Sequence, residues 1–144
     1  MRRALPDRAE RSRRIVDHLI ALPEVAAARH VMAYDAVPGE VETASLVAWC
    51  SERGVDLAMP EDSDLDPTWP DVVIVPGTAF TADGHRAGQG GGWYDRFLPQ
   101  CRPDAVFIGI GFQPQLVESV PIEPHDVTLH CVVVEDGPRW CDGR

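Results

Sequence analysis

Residues 71–77 read DVVIVPG. Four consecutive β-branched residues between an aspartate and a Pro-Gly break predict a strand, and one with no polar position to turn toward water is buried on both faces. Such strands belong to parallel sheets with helices on either side. The rest of the chain agrees. Ile15, Val16, Leu19 and Ile20 recur at helical spacing, with Arg and Asp between them, so residues 7–22 predict an amphipathic helix. VMAY (31–34) predicts a strand. GEVETASLVAWCSERG (39–54) predicts a helix with Thr43 as its cap, Leu46, Val47 and Cys50 on its apolar face and Gly54 as its stop. VDLAMP (55–60) and AVFIGIGF (105–112) predict strands, GWYDRFLPQC (92–101) a short helix, and LHCVVVED (129–136) the last strand. Alternation of this kind implies an α/β fold: a three-layer αβα architecture around a mostly parallel sheet.

One connection departs from the pattern. EDSDLDPTWP (61–70) holds four carboxylates and two prolines and has no helical period. Parallel neighbours usually need a crossover of a dozen residues or more, commonly a helix. Extended, this segment spans roughly 33 Å, so it can return the chain without one. A shortened connection at 61–70 is therefore expected within one domain over residues 1–144.

Composition narrows the function classes. The formal net charge is −10, from 13 Lys+Arg against 23 Asp+Glu, and every basic residue is arginine. An acidic chain is poorly suited to nucleic acid, whose affinity comes from phosphate neutralisation. No apolar run reaches 18 residues, so no membrane span is expected, and the arginine-rich start lacks the apolar core of a signal peptide. Cys50, Cys101, Cys131 and Cys141 form no C-x-x-C, which favours plain reduced thiols over zinc. The expectation is a cytoplasmic protein, a monomer or small homo-oligomer, with a small-molecule partner.

The chemistry concentrates in GHRAGQGGGWYDRFL (84–98). Glycine permits positive φ and close backbone approach, and successive N–H groups near a helix start attract anions. The Lys-Ser/Thr of a P-loop is missing. A flexible surface loop would also use glycine, but it gives no reason for Arg86, the adjacent Trp93 and Tyr94, and Asp95. An arginine beside backbone N–H groups completes a phosphate clamp, and a carboxylate just after it suits Mg²⁺ on the phosphate oxygens. Asp126 has two readings: a turn acid, or a ligand at a strand end, where open α/β sheets bind. His125 and His130 flank it, a weak metal pattern. Glu40 reads as a helix-start acid. Trp49, Trp69 and Trp140 read as packing residues.

VIVPGTAFTADGHRAGQGGGWYDRFL (73–98) resembles the signature region of the 5-formyltetrahydrofolate cyclo-ligase (5,10-methenyltetrahydrofolate synthetase) family. GEVET, VDLAMP, the segment IGIGFQPQLVESVPIEPHDVTLHCVVVED and the first helix, with Arg3, Leu5, Ser12 and Ile15, resemble its other parts. The resemblance implies a Rossmann-like fold and a reaction. ATP and Mg²⁺ activate the formyl oxygen of 5-formyltetrahydrofolate, N10 closes the ring, and 5,10-methenyltetrahydrofolate, ADP and phosphate leave. It implies Arg86 and Tyr94 as catalytic residues. ATP would lie against Arg2, Arg3, Arg86, Gly88, Gly90, Gly91, Gly92, Trp93 and Tyr94. Reduced folate would lie against Glu40, Gly90, Gly91, Gly92 and Trp93, and Mg²⁺ against Asp95 and Asp126. Family members are typically longer, and the difference falls mostly at EDSDLDPTWP, where they carry folate-lining residues. Two functions follow: an active cyclo-ligase with a trimmed pocket, or a degenerate paralogue that binds nucleotide or phosphate without ring closure.

Overall fold

The computed structural model describes residues 7–61, 65–88, 92–124 and 126–142. Its strands are β1 (His30–Met32), β2 (Asp56–Ala58), β3 (Val72–Val75), β4 (Ala79–Phe80), β5 (Arg86–Ala87), β6 (Val106–Ile110), β7 (Cys131–Val134) and β8 (Gly137–Trp140). Six form one sheet in the order β2-β1-β3-β6-β7-β8; β4 and β5 form a separate hairpin. Every pairing in the large sheet is parallel except that of β8, which returns antiparallel along β7. The expected α/β fold with a mostly parallel sheet is therefore present.

The DVVIVPG strand behaves as its composition requires. All four residues of β3 are buried. Val72 and Ile74 join one core cluster, Val73 and Val75 the other, on opposite faces of the sheet. The first cluster is roofed by α1 (Arg8–Ile20), α2 (Pro23–Ala26) and α3 (Ala44–Arg53). In α1, Ser12, Ile15, Val16 and Leu19 form the buried face. The second face has a thinner roof: α4 (Trp93–Phe97), the 3-10 turn Leu98–Gln100 and Phe80, with Leu65 packed against it from the 61–70 connection. Both β2 and β3 pair with β1, so β1 lies between them and the connection crosses it with no helix or strand among its described residues.

Several boundaries and elements differ from expectation. The helix expected at 39–54 begins at Ala44, and Thr43 makes no side-chain cap; its Oγ1 donates instead to Tyr34 O at 2.9 Å. Gly54 does stop α3, in the left-handed region at φ +70°. The helix expected over 92–101 is α4 followed by the 3-10 turn, because Pro99 supplies no N–H to continue it. LHCVVVED is not the last strand. Glu135-Asp136 turns the chain back into β8, whose first residue, Gly137, has φ +127°. Between β3 and the glycines the chain forms the β4–β5 hairpin, in which Phe80 pairs with Arg86.

That hairpin is held by its aromatic anchor. The fully buried Phe80 ring lies over the sheet where three glycines leave a slot. A Cβ on Gly109 would come within 2.6 Å of the ring, and Cβ atoms on Gly77 and Gly111 within 2.9 Å. The alternation IGIGF thus flattens one face of β6 and its continuation so that a phenyl ring can seat there. Phe80 O also accepts from Val117 N at 2.7 Å.

At the opposite, amino end of the strands, Asp71 ties β1 to β3. Its Oδ2 accepts from Arg29 N at 2.8 Å and His30 N at 3.0 Å, and its Oδ1 accepts from Arg102 Nη2 at 2.7 Å. Burial opposes ionisation here, but these hydrogen bonds and the Arg102 charge outweigh it and hold the carboxyl below its ordinary value.

Two stability outcomes follow. Gly109→Ala lowers stability by about 1–3 kcal/mol through overpacking, read as a lower urea midpoint at unchanged slope. For Asp71 the folded-state pKa is depressed, so its contribution is fully present above the unfolded-state value and lost as pH falls through the folded one. Wild type therefore exceeds Asp71→Asn in unfolding free energy at neutral pH, and the gap narrows as pH drops below the ordinary aspartate value of 3.8. A gap of constant size across that range would remove the ionised carboxylate from the account.

Candidate functional site

Beyond β1 the chain leaves toward β2, and beyond β3 it leaves toward β6, on the other side of the sheet. A crevice opens at such a reversal, outside the carboxyl ends of the strands. Here it is a cleft of about 630 Å³, within the range of small-molecule sites. Tyr34 and Asp35 follow β1, Pro76 and Gly77 follow β3, and the β5–α4 segment closes the far side.

Arg86 is the cation of this wall. It pairs across the hairpin with the buried Phe80, so a core anchor and a cleft guanidinium share one rung. Nη1 donates to Pro76 O at 3.3 Å, the guanidinium carbon stands 5.1 Å from the Tyr94 ring centroid, and Nε is buried with no hydrogen-bond partner among the described residues. An unsatisfied buried donor is costly unless something supplies an acceptor. Burial lowers the guanidinium pKa, and Asp95, Tyr94 and Asp126 oppose that shift, so both acids feel the same cation. Arginine stays charged throughout. A Cβ at Gly88 would lie 2.8 Å from Arg86 Nη1, so glycine there keeps the space around the guanidinium open.

Gly92 stands at φ +64° and opens α4. With five residues, α4 contributes little dipole, and among the described residues the positive charge in the cleft lining is that of Arg86. Trp93 stacks on Phe97 at 4.7 Å and meets Tyr94 edge-on at 4.8 Å. It is 36 % exposed, an aromatic surface on the cleft rim. Burial first, with Glu40 and Glu61 adding to it against Arg86, raises the Tyr94 hydroxyl pKa, so the phenol keeps its proton.

Glu40 is not a helix-start acid. It sits four residues before α3 and is 7 % exposed. Its Oε1 accepts from Val37 N at 2.9 Å, closing the turn that presents it. Asp126 also accepts within a turn, its Oδ2 taking Glu123 N at 2.8 Å, while lining the cleft. Asp126 is thus a turn acid that also stands in the cleft wall. His130 serves the sheet: its Nδ1 accepts from Phe107 N at 2.9 Å. Arg2, Arg3, Gly90, Gly91 and His125 lie outside the described residues. Trp49 and Trp140 pack against the first core and Trp69 stacks on His30, as expected of packing residues.

The cleft brings together Glu40, Arg86, Gly88, Gly92, Trp93, Tyr94, Asp95 and Asp126 from segments far apart in sequence. Reading the residues singly missed Tyr34, Asp35, Glu61, Pro76 and Glu123. The first two directly follow a strand that borders the switch point, a signal that needs the strand order. Among the described residues the lining holds six acids, Asp35, Glu40, Glu61, Asp95, Glu123 and Asp126, and one guanidinium, that of Arg86. No group of three or more His, Cys, Asp or Glu among the described residues is gathered to hold a metal by itself. A Mg²⁺ ion needs less from protein, since substrate phosphates and water complete its shell. Asp95 and Asp126, which both line the cleft and both act on Arg86, are the residues that could hold such an ion.

Comparison with known proteins covers the same ground. The family model described as the 5-formyltetrahydrofolate cyclo-ligase family matches residues 61–135. A mouse protein named 5-formyltetrahydrofolate cyclo-ligase is 32 % identical over 72 residues, 47 % of this chain and 36 % of that protein. An Escherichia coli protein of the same name is 42 % identical over 64 residues, 44 % of this chain and 35 % of that one. These matches span about a third of the relatives' own length. The solution structure of Aquifex aeolicus 5,10-methenyltetrahydrofolate synthetase superposes with a TM-score of 0.81 at 24 % identity, covering 97 % of this chain and 87 % of that one, and so shares the fold. With a match over more than half its length, this chain belongs to the 5-formyltetrahydrofolate cyclo-ligase family.

Proposed function

We propose that the protein catalyses the ATP- and Mg²⁺-dependent cyclisation of 5-formyltetrahydrofolate to 5,10-methenyltetrahydrofolate. The observation that carries this reading is the buried Arg86 guanidinium, with an unsatisfied Nε, in a switch-point cleft that also holds Asp95 and Asp126. When bound, Mg–ATP supplies the phosphoryl group that turns the formyl oxygen into a leaving group. The chain's part is positioning and charge. Arg86 neutralises charge that builds on the transferring phosphoryl group, held in place by Pro76 O and the Tyr94 face. Gly88 and Gly92 let backbone approach the phosphates, and Asp95 and Asp126 take the cation. Tyr94, kept protonated by burial, offers a neutral hydroxyl in a crowded anionic site. Glu40, fixed by its turn, offers its carboxylate to the donor edge of the pterin. Trp93 gives the folate an aromatic rim. Four free thiols suit a reducing, cytoplasmic setting for this chemistry.

The excess of carboxylates sharpens the cation requirement. Among the described lining residues a bare nucleotide polyanion meets six acids and one arginine, so its charge should be partly neutralised for it to bind there. Chelating Mg²⁺ should abolish nucleotide binding in calorimetry, and Asp95→Ala should weaken Mg–ATP while thermal stability holds; undiminished binding in either experiment would remove the cation from the site. Arg86→Met should lower kcat/KM by roughly 10²–10³-fold, the order seen when one preorganised charge-stabilising donor is lost. The decisive assay mixes purified protein, 5-formyltetrahydrofolate, ATP and Mg²⁺ and follows methenyl absorbance. Product that vanishes in Asp95→Ala supports the reading. Mg–ATP binding without product would instead make the protein a non-cyclising paralogue, a reading favoured by the shortness of the 61–70 connection.

A further inference from the structure

The turn that carries Glu40 is not self-supporting. Residues 37–42 form no helix or strand, and Gly39 stands at φ +93°. Within the turn, Glu40 N donates to Val37 O at 3.0 Å and Val37 N donates to Glu40 Oε1 at 2.9 Å. The remaining restraints come largely from α1. Arg8 Nε and Nη2 both donate to Glu40 O, at 3.0 Å and 2.6 Å, and Nη2 also reaches Val37 O at 3.2 Å. Its Nη1 pairs with Glu42 Oε2 at 3.2 Å. One helical turn later, the buried Ser12 Oγ accepts from Glu42 N at 2.9 Å. From the other side, Tyr34 Oη donates to Val41 O at 3.1 Å. The helix is itself fixed to the sheet, since Arg11 Nη1 donates to the buried Glu135 at 2.8 Å and Glu135 also accepts from Gln113 N at 2.6 Å.

We infer that Arg8 is a positioning residue for substrate recognition: its guanidinium fork grips both ends of the 37–40 turn and so sets where the Glu40 carboxylate stands in the cleft. This rests on the folate reading of that cleft. A fork of fixed geometry is required, because one side chain must hold two carbonyls and a carboxylate at once. Arg8 does not line the cleft, so its effect passes through Glu40 and not through contact with either substrate. The two ligands should therefore respond differently. Folate recognition depends on Glu40 and will feel the loss, whereas the Mg–nucleotide half, built on the β5–α4 segment and Asp126, will not.

The test compares wild type, Arg8→Met and Arg8→Lys by calorimetry with 5-formyltetrahydrofolate and, separately, Mg–ATP, alongside amide hydrogen exchange. In Arg8→Met the folate Kd should rise roughly tenfold, the order of losing hydrogen bonds that fix a buried polar group, with Mg–ATP affinity unchanged. The amides of Val37, Glu40 and Glu42 should exchange faster while those of β3 and β6 do not, and Arg8→Lys should recover part of the folate affinity. Equal loss for both ligands, or faster exchange across the whole sheet, would make Arg8 merely structural and overturn the inference. So would an unchanged folate Kd in Arg8→Met beside a wild type that binds folate. A wild type that binds no 5-formyltetrahydrofolate would overturn the folate reading itself, and this inference with it.

Discussion

The seat of one phenyl ring in a glycine slot governs the placement of the functional half of this molecule. Phe80 fills the space that Cβ atoms at Gly77, Gly109 and Gly111 would occupy. Buried apolar area drives the ring down, and close packing leaves it one place to go. Because Phe80 pairs with Arg86, the same contact fixes where the guanidinium emerges. Gln115 reinforces the arrangement: its Oε1 accepts from Phe112 N at 2.8 Å, and its Nε2 donates to Gly77 O and Thr78 O at 3.3 Å. Strand end, hairpin and cleft wall thus behave as one packed unit, and the arginine inherits the rigidity of a core residue.

How much of this was legible in the sequence depended on the range of the signal. β3 was plain, because an apolar run with no polar alternation can only be buried twice over. The face of α1 was plain for the same reason. Strand order was not, because no local pattern says that β1 inserts between β2 and β3. The two hairpins escaped notice although Asp-Gly stands in each, at Asp83-Gly84 and Asp136-Gly137. Their flanking strands are two to four residues long, too short to show a period, and one contains a proline. Chemistry-bearing residues packed into one segment, Arg86 to Asp95, were found together. Those that reach the cleft only through the topology, such as Asp35 and Glu123, were not, and Arg8 gave no sign because its partners are backbone carbonyls more than thirty residues away or nearly so.

The charge of the cleft sets the terms on which ligands enter. Asp95 and Asp126 lie close enough to Arg86 to oppose the fall in its pKa, and Glu40 and Glu61 add to the rise in that of Tyr94. Among the described residues the lining holds more carboxylates than cations. Under the proposed function, a nucleotide would therefore enter that part of the cleft with its metal, and the acids would favour the complexed form over the free one.

The β8 return has a consequence of another kind. A parallel sheet that ended at β7 would present the fully buried CVVV run as an open margin, a template for pairing with any unfolded chain. β8 takes that position with GPRW, whose proline has no N–H to offer and whose arginine carries charge to the rim. Four residues of poor strand character thus work as a selvedge, finishing the fabric of the sheet so that it does not continue into a neighbour's.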